Sequence, residues 1–504
     1  MAMATVLSRA QCGMDAIEVR VEVDLGGGLP TFTIVGLPET VVKESRDRVR
    51  AAIVNSQFEM PAGRITVSLA PADLPKEGGR FDLPIALGIL IAAGQLSGDS
   101  LADCELYGEL SLSGELRPIK GILVAAIAAT AAQRKLIVPV ANLDEAALIS
   151  GCEVAAAKHL LDVAAHAAGN RLLEFVRGQA PSRTARTNSD LRDVLGQQHA
   201  KRALEIAAAG GHSLLFVGPP GTGKSMLAQR LPGILPSMTD AEALEAASVR
   251  ALIGPFKVND WGVRPFRAPH HTASAIALVG GGSYPRPGEI SLAHRGVLFL
   301  DELPEFQRRV LEVLREPIES GVVTISRAAL QTEFPARFQL IAAMNPCPCG
   351  YLGDTPARCR CTAEQVQRYR ARISGPLLDR LDMHVEVGRV ALKALQEAEA
   401  HGECSEQVAA RVATARDLQL ERQGVCNACL DHRGVAHHCM LDAEGKRVLA
   451  RAAECFALSA RAHQRILKLA RTIADLRAAR RVGAVDIAEA INLRQLDRAT
   501  SPTR

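Results

Sequence analysis

The stretch LLFVGPPGTGKSMLAQ, from Leu214 to Gln229, constrains the fold of this chain more than any other. Apolar residues that suit a buried strand lead straight into a loop of glycine and proline, and a lysine follows at the start of a helical segment. Glycines let the backbone fold tightly with its N–H groups pointing at an anion. The stretch therefore predicts a strand, a phosphate-binding loop and a helix within an α/β domain. The loop residues, which fit the spacing G-x-x-x-x-G-K-S, are Gly218, Pro219, Pro220, Gly221, Thr222, Gly223, Lys224 and Ser225.

Two acidic residues extend this prediction from phosphate binding to hydrolysis. In such a loop Lys224 is expected to reach the β- and γ-phosphates of ATP, and Ser225 to bind Mg²⁺. A second apolar strand, in GVLFLDELPEF, ends in Asp301 and Glu302. The first acid can hold Mg²⁺ through water, and the second can orient or deprotonate the attacking water. The pair predicts an enzyme that cleaves ATP; a helix cap is the alternative.

Composition bounds the class of protein. With 504 residues the chain is expected to form roughly two to four domains. A formal net charge of +4 means that a nucleic-acid partner would need a localised basic surface. No secretory segment opens the chain, and no apolar run is long enough for a membrane span; the longest one, around Leu83 to Leu96, predicts a buried helix. With 12 cysteines, reduced thiols or metal ligation are expected in a cytoplasmic protein without a membrane partner.

The pattern along the chain predicts three domains and a linker. Residues 1–172 mix alternating apolar stretches with alanine-rich helical runs, as an α+β domain does. Residues 173–190 contain RGQAPSRTARTNSD, which breaks this periodicity and predicts a linker. Strands alternate with helices over residues 191–388, as a parallel α/β sheet requires. Residues 389–504 are helical in character and predict a small α-helical domain.

Several motifs in this order resemble the AAA+ ATPases of the magnesium-chelatase and MCM branch. They are GPPGTGKS, LFLDE, IAAMNPCPCG and SGPLLDRLD, and the segment from Leu195 to Pro236 is similar, almost residue for residue, to the bacterial YifB/ComM family. The likeness extends over the whole chain. It implies an AAA+ P-loop core with a parallel sheet, followed by a C-terminal α-helical lid.

The resemblance assigns roles to polar residues outside the loop. It implies that Asn345 is the sensor-1 residue beside the γ-phosphate, and that Arg380 is an arginine finger for the ATP of a neighbouring subunit. Arg461 is the expected sensor-2 residue, with Arg465 as its rival. The segment Val194 to Gln197 is expected near the nucleotide, with Gln197 among the contacts. A guanidinium supplied in trans stabilises the charge on the transferred phosphoryl group and demands an oligomer, here a homo-hexamer. A surface ion pair is the alternative for any one arginine.

A predicted hairpin lies between the acidic strand and the strand that ends at Asn345. Val322 to Ser326 and Ala329 to Phe334 are its expected arms, with Arg327 near the tip. It resembles the pre-sensor-1 hairpin of MCM-type helicases, which implies that Arg327 contacts a DNA backbone in the central pore. Magnesium chelatases have the same hairpin, so a remodelling element is the alternative. The preceding segment resembles the helix-2 insert of the same branch, with basic residues at Arg264, Arg267, Arg286 and Arg295.

Two cysteine-containing segments carry metal-like spacing. Two C-x-C pairs directly follow Asn345, and four thiolates could close a tetrahedral structural zinc site; a loop of reduced cysteines is the alternative. The four residues are Cys347, Cys349, Cys359 and Cys361. The segment CNACLDHRGVAHHC matches no firm pattern and is the weaker candidate. Its residues are Cys426, Cys429, His432, His437, His438 and Cys439.

The front domain resembles the proteolytic domain of Lon, with a ribosomal S5 domain 2-like fold. Arg80 stands where the family has its serine, and Leu123 and Val124 stand where the lysine is expected. Without nucleophile and base, Ser–Lys peptide cleavage has no chemistry to run, so no peptidase activity is expected. Lys76, Arg80 and Lys120 could face nucleic acid, with solvated surface charge as the alternative.

Taken together, the resemblance implies a hexameric ATP-dependent DNA motor, a helicase or translocase. It implies branch migration on branched or single-stranded DNA in homologous recombination and natural transformation. A chelatase-type remodeller acting on a protein partner is the alternative, and a nucleotide-gated scaffold is a third possibility. The implied cofactors are ATP and Mg²⁺, with structural Zn²⁺ at the four cysteines.

Overall fold

The computed structural model describes residues 2–36, 40–76, 78–181, 189–282, 285–326, 331–354, 358–390, 402–494 and 496, and its strands fall into two main sheets. The strands in chain order are β1 (Ala2–Cys12), β2 (Asp15–Gly26), β3 (Thr31–Val35), β4 (Arg64–Ala70), β5 (Cys104–Leu106), β6 (Glu109–Leu110), β7 (Leu116–Arg117), β8 (Lys135–Pro139), β9 (Glu153–Ala157), β10 (Phe175–Arg177), β11 (Leu214–Val217), β12 (Phe266–Arg267), β13 (Gly280–Gly281), β14 (Arg286–Pro287), β15 (Val297–Leu300), β16 (Val322–Ser326), β17 (Gln331–Pro335), β18 (Gln339–Met344) and β19 (Met383–Glu386).

The helices surround these sheets and form most of the last hundred residues. In chain order they are α1 (Thr40–Asn55), α2 (Asp82–Ala92), α3 (Ile122–Ala131), α4 (Leu143–Ala146), α5 (Leu160–Ala167), α6 (Gln198–Gly210), α7 (Lys224–Arg230), α8 (Asp240–Ala251), α9 (Ala275–Val279), α10 (Glu289–Leu292), α11 (Arg308–Glu312), α12 (Arg315–Ser320), α13 (Ala363–Arg370), α14 (Gly375–Leu378), α15 (Ser405–Gln423), α16 (His432–His438), α17 (Ala443–Phe456), α18 (Ala460–Leu476) and α19 (Ala484–Asn492).

The front sheet has eight strands in the order β10-β9-β8-β5-β1-β2-β4-β3. Its centre is the long antiparallel pair β1 and β2, in register from Ala2 opposite Leu25 to Cys12 opposite Asp15. Helix α2 packs on this pair and is buried over nearly its whole length, so the predicted buried helix is confirmed. The sheet is mixed, because β5, β8 and β9 run parallel while β10 pairs antiparallel with β9.

Strand β10 lies inside the segment predicted to be a linker. Phe175 to Arg177 pair with Glu153 to Ala155 at the edge of the front sheet. The stretch 173–190 is therefore not a linker throughout: its beginning completes the sheet. Residues 182–188 of the same stretch lie outside the described part of the chain.

Two basic residues of the front domain do not face solvent. The Lys76 side chain is fully buried and its ammonium group donates to the carbonyl of Pro71. Arg80 is also buried, with its guanidinium donating to the carbonyl of Lys120 at 2.7 Å. The expectation that Lys76 and Arg80 contact nucleic acid is therefore wrong, and so is the alternative of solvated surface charge. Lys120 alone of the three is exposed.

The second sheet is parallel, with the order β12-β15-β18-β11-β19. Its registers place Val217 beside Met344, and Leu300 beside Ala342. The residues that follow these strands therefore meet at one edge of the sheet, because the carboxyl ends of parallel strands lie side by side. Every residue of β11 and β15 is buried, as their continuous apolar sequences predict.

The C-terminal helices α15 to α19 pack on the second sheet through α6. Helix α6 contacts both α15 and α18, and one apolar core includes Phe216 of β11 and Ile473 of α18. The predicted helical character of this region is confirmed. No helix in the described ranges is both long and apolar enough to cross a membrane.

The front domain contacts the second sheet's domain at two places. Helix α3 packs against α8, and Ala126 and Ala247 belong to one apolar cluster. The turn between β1 and β2 meets the hairpin of β16 and β17, where Met14 packs against a cluster that includes Ile325. A Cβ added to Gly13 in this turn would lie 2.3 Å from Cγ2 of Thr332, so the turn has no room for a side chain.

Candidate functional site

The loop after β11 folds around a cleft at the carboxyl edge of the parallel sheet. Gly221 and Gly223 have φ values of +77° and +88°, in the left-handed region that favours glycine. Gly218 is required for a different reason, because a Cβ there would lie 2.2 Å from the carbonyl oxygen of Val387. The cleft has a volume of about 420 Å³. Its lining residues are Pro220, Gly221, Thr222, Gly223, Lys224, Ser225, Met226, Asp301, Glu302, Met344 and Asn345.

Lys224 is held at the base of this cleft by three oxygen atoms. Its ammonium group donates to the carbonyls of Gly218 at 2.7 Å and Pro219 at 2.9 Å, and to Oδ1 of Asn345 at 3.2 Å. Burial lowers the pKa of Lys224, while the carboxylates of Asp301 and Glu302 act in the opposite direction. The structure thus brings Lys224 and Asn345 together, and a phosphate could replace the carbonyls as the partner of the ammonium group.

The hydroxyl of Ser225 and the two acids line the same cleft. Oγ of Ser225 donates to Oδ2 of Asp301 at 2.5 Å. These two oxygen ligands are of the kind that Mg²⁺ prefers, so the residues present fit that ion. Glu302 follows with a φ of +52°, and its side chain is about half exposed at the mouth of the cleft. A non-glycine residue in the left-handed region stores strain, which is common at functional sites.

His271 is a neighbour of this site that the sequence reasoning did not single out. Its Nδ1 lies 3.2 Å from Oε2 of Glu302. The ring of His270 packs against it at a tilt of 33°, with centroids 4.1 Å apart. Both histidines lie in the segment interpreted as an insert. The sequence feature that could have identified them is their position just after β12, because β12 is next to β15, which is followed by Asp301 and Glu302. The contact joins that segment directly to Glu302.

Gln197 lies beside the phosphate loop. Its side-chain amide donates to the carbonyl of Thr222 at 3.3 Å and to that of Gly388 at 2.6 Å. Gln197 itself has a φ of +54° and precedes the first residue of α6. Gln197, the last residue of the segment Val194 to Gln197, therefore contacts both the loop and the chain that leaves β19.

The three candidate arginines gather in a second pocket of about 110 Å³ and do not line the cleft of the same chain. Arg380 is nearly buried there and pairs with Glu319 at 2.7 Å. Its guanidinium also donates to the carbonyls of Arg315 at 3.2 Å and Pro376 at 2.9 Å. The pocket is lined by Glu319, Asp379, Arg380, Arg461, Gln464, Arg465 and Lys468.

Arg461 and Arg465 differ in how they are engaged. Arg465 forms an ion pair with the buried carboxylate of Asp382 and donates to the carbonyl of Arg380. Burial would raise the pKa of Asp382, but a hydrogen bond from His212 and the charge of Arg465 lower it below its ordinary value. Arg461 is exposed and has no hydrogen bond or ion pair within the described ranges. Arg461 is thus the freer of the two.

The hairpin forms, with its first arm at the expected residues and its second arm ending one residue later than expected, at Pro335. Val322 pairs with Pro335 and Ser326 with Gln331, and Ala329, the expected start of the second arm, lies outside the described residues. The predicted tip residue Arg327 lies outside the described residues. In the insert, Arg267 pairs with Glu289 at 2.6 Å, and Arg295 with Glu245 at 2.7 Å.

These contacts reduce the free basic charge of the insert. Arg264 is directed inward as well, donating to the carbonyls of Pro236 and Arg295, both at 2.7 Å. Of the four insert arginines named from the sequence, Arg286 is exposed, and its side chain has no hydrogen bond or ion pair in the part of the chain that the structure describes. Most of the insert's basic character therefore serves internal contacts.

The first cysteine segment folds into one cluster beside the phosphate loop. The Sγ atoms of Cys347, Cys349, Cys359 and Cys361 all lie within 4.8 Å of one another, so this chemistry and spacing fit a metal ion. Backbone N–H groups of Tyr351 and Arg360 lower the pKa of Cys349 to about 6. The loop touches the cleft, since a Cβ on Gly350 would lie 2.8 Å from Cδ of Pro220.

The second cysteine segment does not form such a cluster. Cys426 and Cys429 are adjacent, with their Sγ atoms 3.2 Å apart. The rings of His437 and His438 meet edge to face, with centroids 4.7 Å apart. Within the described ranges, the Cys347 group is the one set of three or more side chains close enough to hold a metal. The weaker of the two metal expectations is therefore not supported by the geometry.

Comparison with known proteins places the whole chain in one family. Models of the magnesium-chelatase subunit ChlI match residues 21–142 and 190–395, and a model of its C-terminal part matches residues 402–494. Competence protein ComM of Haemophilus influenzae is 51% identical over 503 residues, which are 99% of this chain and 98% of that protein. The uncharacterized protein YifB of Salmonella typhimurium is 50% identical over 505 residues, again 99% and 98% of the two chains.

Similarity to a chelatase subunit itself is more limited. The magnesium-chelatase 38 kDa subunit of Cereibacter sphaeroides is 28% identical over 171 residues, which are 30% of this chain and 51% of that protein. The parallel sheet and helical C-terminal region fit an AAA+ magnesium-chelatase-like fold. Because the identity to ComM and YifB runs the full length of the chain, this protein belongs to the YifB/ComM family of magnesium-chelatase-like proteins.

Proposed function

We propose that this chain is an ATP-hydrolysing DNA motor of the cytoplasm that works as a homo-hexamer in branch migration. The observation that carries the proposal is the convergence of Lys224, Ser225, Asp301, Glu302 and Asn345 on one cleft. An ammonium group, a Mg²⁺-type ligand pair, an exposed carboxylate and an amide are the parts that phosphoryl transfer to water requires.

Each residue of the cleft has a separate task in this proposal. Lys224 binds the β- and γ-phosphates, Ser225 and Asp301 hold Mg²⁺, and Glu302 orients and deprotonates the attacking water. Asn345, bonded to Lys224 in this structure, positions the γ-phosphate or the water. Mg²⁺ supplies positive charge that neutralises the phosphates as the bond to the leaving group breaks. The amide of Gln197, held on the phosphate loop, places the segment that contacts adenine.

The proposal of a ring rests on the position of the arginines. Arg380, Arg461 and Arg465 share a pocket separate from the cleft of their own chain. We assign Arg380 as the finger for a neighbour's ATP and Arg461, which has no partner among the described residues, as sensor 2. A closed ring of identical subunits gives every cleft such a neighbour.

The proposal of a DNA substrate rests on the relative and on the hairpin. The relative from Haemophilus influenzae is named a competence protein, and competence is the ability of a cell to take up DNA. In this proposal Arg327, which follows β16 in the sequence, contacts the DNA backbone, and six copies of it would concentrate positive charge around DNA. Branch migration in homologous recombination and natural transformation is the activity that we infer.

The front domain and the cysteine cluster have supporting tasks in this proposal. We interpret the front domain as a Lon-like, S5-type domain without peptidase activity, because Arg80 in the place of the nucleophile is buried and bonded to a carbonyl. We propose that Cys347, Cys349, Cys359 and Cys361 hold a structural Zn²⁺ that fixes the loop after Asn345. A shell of four thiolates leaves no open position for chemistry.

A chelatase-type remodeller acting on a protein partner is the second candidate. It is favoured by the family models, which all describe magnesium-chelatase subunits. The two candidates differ in the ligand that stimulates ATP hydrolysis.

The test is ATP hydrolysis by the purified protein without DNA, with single strands, with duplex and with a four-way junction. Glu302→Gln removes the general base, and Glu305→Gln is the matched control at a glutamate that pairs with Arg372 at 2.9 Å. We expect strong stimulation by DNA and dissociation of the junction by the wild type and by Glu305→Gln, but not by Glu302→Gln. Hydrolysis that is indifferent to every DNA would reject the motor and favour the remodeller.

A further inference from the structure

A pair of thiols lies at the contact between the C-terminal helices and α6. Cys426 precedes a short turn, Asn427 to Cys429, between α15 and α16, and Cys429 is the last residue of that turn. Their Sγ atoms are 3.2 Å apart, and the backbone N–H of Cys429 donates to the carbonyl of Cys426 at 3.0 Å. A disulfide bond has an S–S distance of about 2.05 Å, so a shift of roughly 1 Å would join the two sulfurs.

The turn that carries these thiols is anchored by a buried amide. Asn427 is fully buried, and its side-chain amide donates to Thr472 at 3.0 Å and to Asp475 at 2.8 Å. Its Oδ1 accepts from Arg422 at 3.0 Å and from Gln423 at 2.9 Å. With its donors and its acceptor all engaged, Asn427, one of the two residues between the cysteines, is fixed to α15 and α18. The short distance between the thiols is therefore built into the packing.

The two cysteines have different surroundings. Cys426 is half-buried against the turn after α6, where a Cβ on Gly211 would lie 3.0 Å from its Sγ, and Cys429 is exposed. The hydrogen bond between the two thiols and the charge of Arg416 lower the pKa of Cys426 to about 5. Arg416 is itself fixed by the carbonyls of Ala208 and Ala209, both at 2.9 Å. Cys426 is thus suited to be the nucleophile and Cys429 the resolving thiol.

Within the described ranges, no third metal ligand completes this pair. Among the residues that the structure describes, the one group of three or more metal-binding side chains is that around Cys347. Two thiols without further ligands favour redox chemistry over metal binding, and cysteine pairs of this spacing in reducing compartments are typically transient and redox-active.

We propose that Cys426 and Cys429 form a reversible dithiol–disulfide site that is oxidised by hydroperoxides. The Cys426 thiolate attacks one peroxide oxygen, the O–O bond breaks, and the sulfur becomes a sulfenic acid while hydroxide leaves and takes up a proton. Cys429 then loses its proton and attacks the sulfur of Cys426, the S–O bond breaks, and the second hydroxide leaves as water with that proton. The two thiols lose two electrons, which reduce hydrogen peroxide to two molecules of water.

The position of the site gives the modification a structural consequence. Cys426 lies against Gly211, which ends α6 and leads into β11 and its phosphate loop. A disulfide would fix the turn of the helical domain at the point where that domain supports the parallel sheet. The site does not depend on the proposed ATP hydrolysis and can be tested without it.

The test is peptide mapping of the full-length protein, reduced and then exposed to hydrogen peroxide. Trypsin releases QGVCNACLDHR, which contains both cysteines. We expect this peptide, after alkylation without reduction, to be lighter than its reduced form by two hydrogen atoms and to carry no alkyl group. Dithiothreitol should restore both alkylation sites. Cys455, an exposed cysteine, is the internal control and should oxidise roughly tenfold more slowly.

A variant separates the two sulfurs. In Cys429→Ser the sulfenic acid on Cys426 has no resolving thiol, so dimedone should label Cys426 and no disulfide should form in the peptide. Two results would overturn the proposal: full alkylation of both cysteines after peroxide treatment of the wild type, or oxidation of Cys455 at the same rate as the pair. Failure of DNA to stimulate ATP hydrolysis would leave these expected results unchanged.

Discussion

The pocket that contains Arg380 leads to a prediction about mixed rings. Arg380→Ala removes the proposed finger, and Glu302→Gln removes the proposed general base. If the finger acts on a neighbour's ATP, each variant alone should lose about 10³-fold or more in kcat, equivalent to about 4 kcal/mol of transition-state stabilisation. The two defects lie in different parts of the same subunit, because Arg380 does not line its own cleft.

The magnitude for the mixture follows from this separation. A competent interface needs a subunit with Glu302 next to a subunit with Arg380. In rings assembled at random from equal amounts of the two variants, about a quarter of the interfaces satisfy both conditions, so ATP hydrolysis should recover to about a quarter of the wild-type rate if interfaces act independently. The assay is steady-state hydrolysis by rings that are co-expressed with two different tags and purified through both.

The folding cost of the substitution must be measured beside the rate. Arg380→Ala also loses two hydrogen bonds to carbonyl groups and an ion pair whose partner Glu319 is mostly exposed. We expect a loss of about 2 kcal/mol in the free energy of unfolding, which leaves the fold intact. Arg372→Ala, at an exposed arginine paired with Glu305, is the matched control and should keep wild-type hydrolysis. Mixed rings no faster than the sum of the separate variants would refute a finger that acts in trans.

Three further predictions test the site and its surroundings. His271→Ala should lower kcat roughly tenfold with little change in KM for ATP, because it frees the carboxylate of Glu302 without altering the cleft. His271→Gln, which retains a hydrogen-bond donor, should recover part of the lost rate. Equal kinetics for the wild type and both variants would exclude a positioning role for His271. Elemental analysis of the wild type is expected to find about one zinc ion per chain. Cys349→Ser should lose this zinc, whereas Cys455→Ser should retain it. Wild-type protein that is purified without chelators and contains no zinc would contradict the prediction. Burial lowers the pKa of His294 to about 4 from an ordinary value of 6.5, so the unfolded chain takes up a proton at a higher pH than the folded protein does. The contribution of the neutral His294 to the free energy of unfolding is therefore fully present above pH 6.5 and is lost as the pH falls toward 4. It amounts to about 3 kcal/mol, and urea unfolding of His294→Gln should show a weaker pH dependence than the wild type over that window.

Much of the core followed from sequence because its signals are local. The strands that end before Gly218, Asp301 and Asn345 are continuous apolar runs, and parallel strands bring such ends to one edge. Strand β1 was not identified, because Ser8 and Arg9 interrupt its pattern although both are buried. Arg9 is tolerated there through its pair with Glu105 at 2.7 Å, a partner 96 residues away that no local pattern reveals.

The same limit explains the errors in the basic residues. Lys76 and Arg80 appeared to be surface charges because burial of a charge depends on carbonyl groups supplied by distant parts of the chain. The insert arginines were equally ambiguous, since Arg267 and Arg295 find carboxylates on separate helices. The contact of His271 with Glu302 joins residues 31 positions apart by their numbers and required the sheet order to become visible.

The turn at Gly13 couples the front domain to the hairpin of β16 and β17 by direct contact. Because no side chain fits between this turn and Thr332, the two surfaces are in direct contact, and the turn continues into the two longest strands of the front sheet. A displacement of β17 toward the turn would push on the turn and shift β1 and β2, which pair with each other along their whole length. In the motor proposed above, a movement of the hairpin would therefore also move the front domain, whose eight-stranded sheet contains β1 and β2.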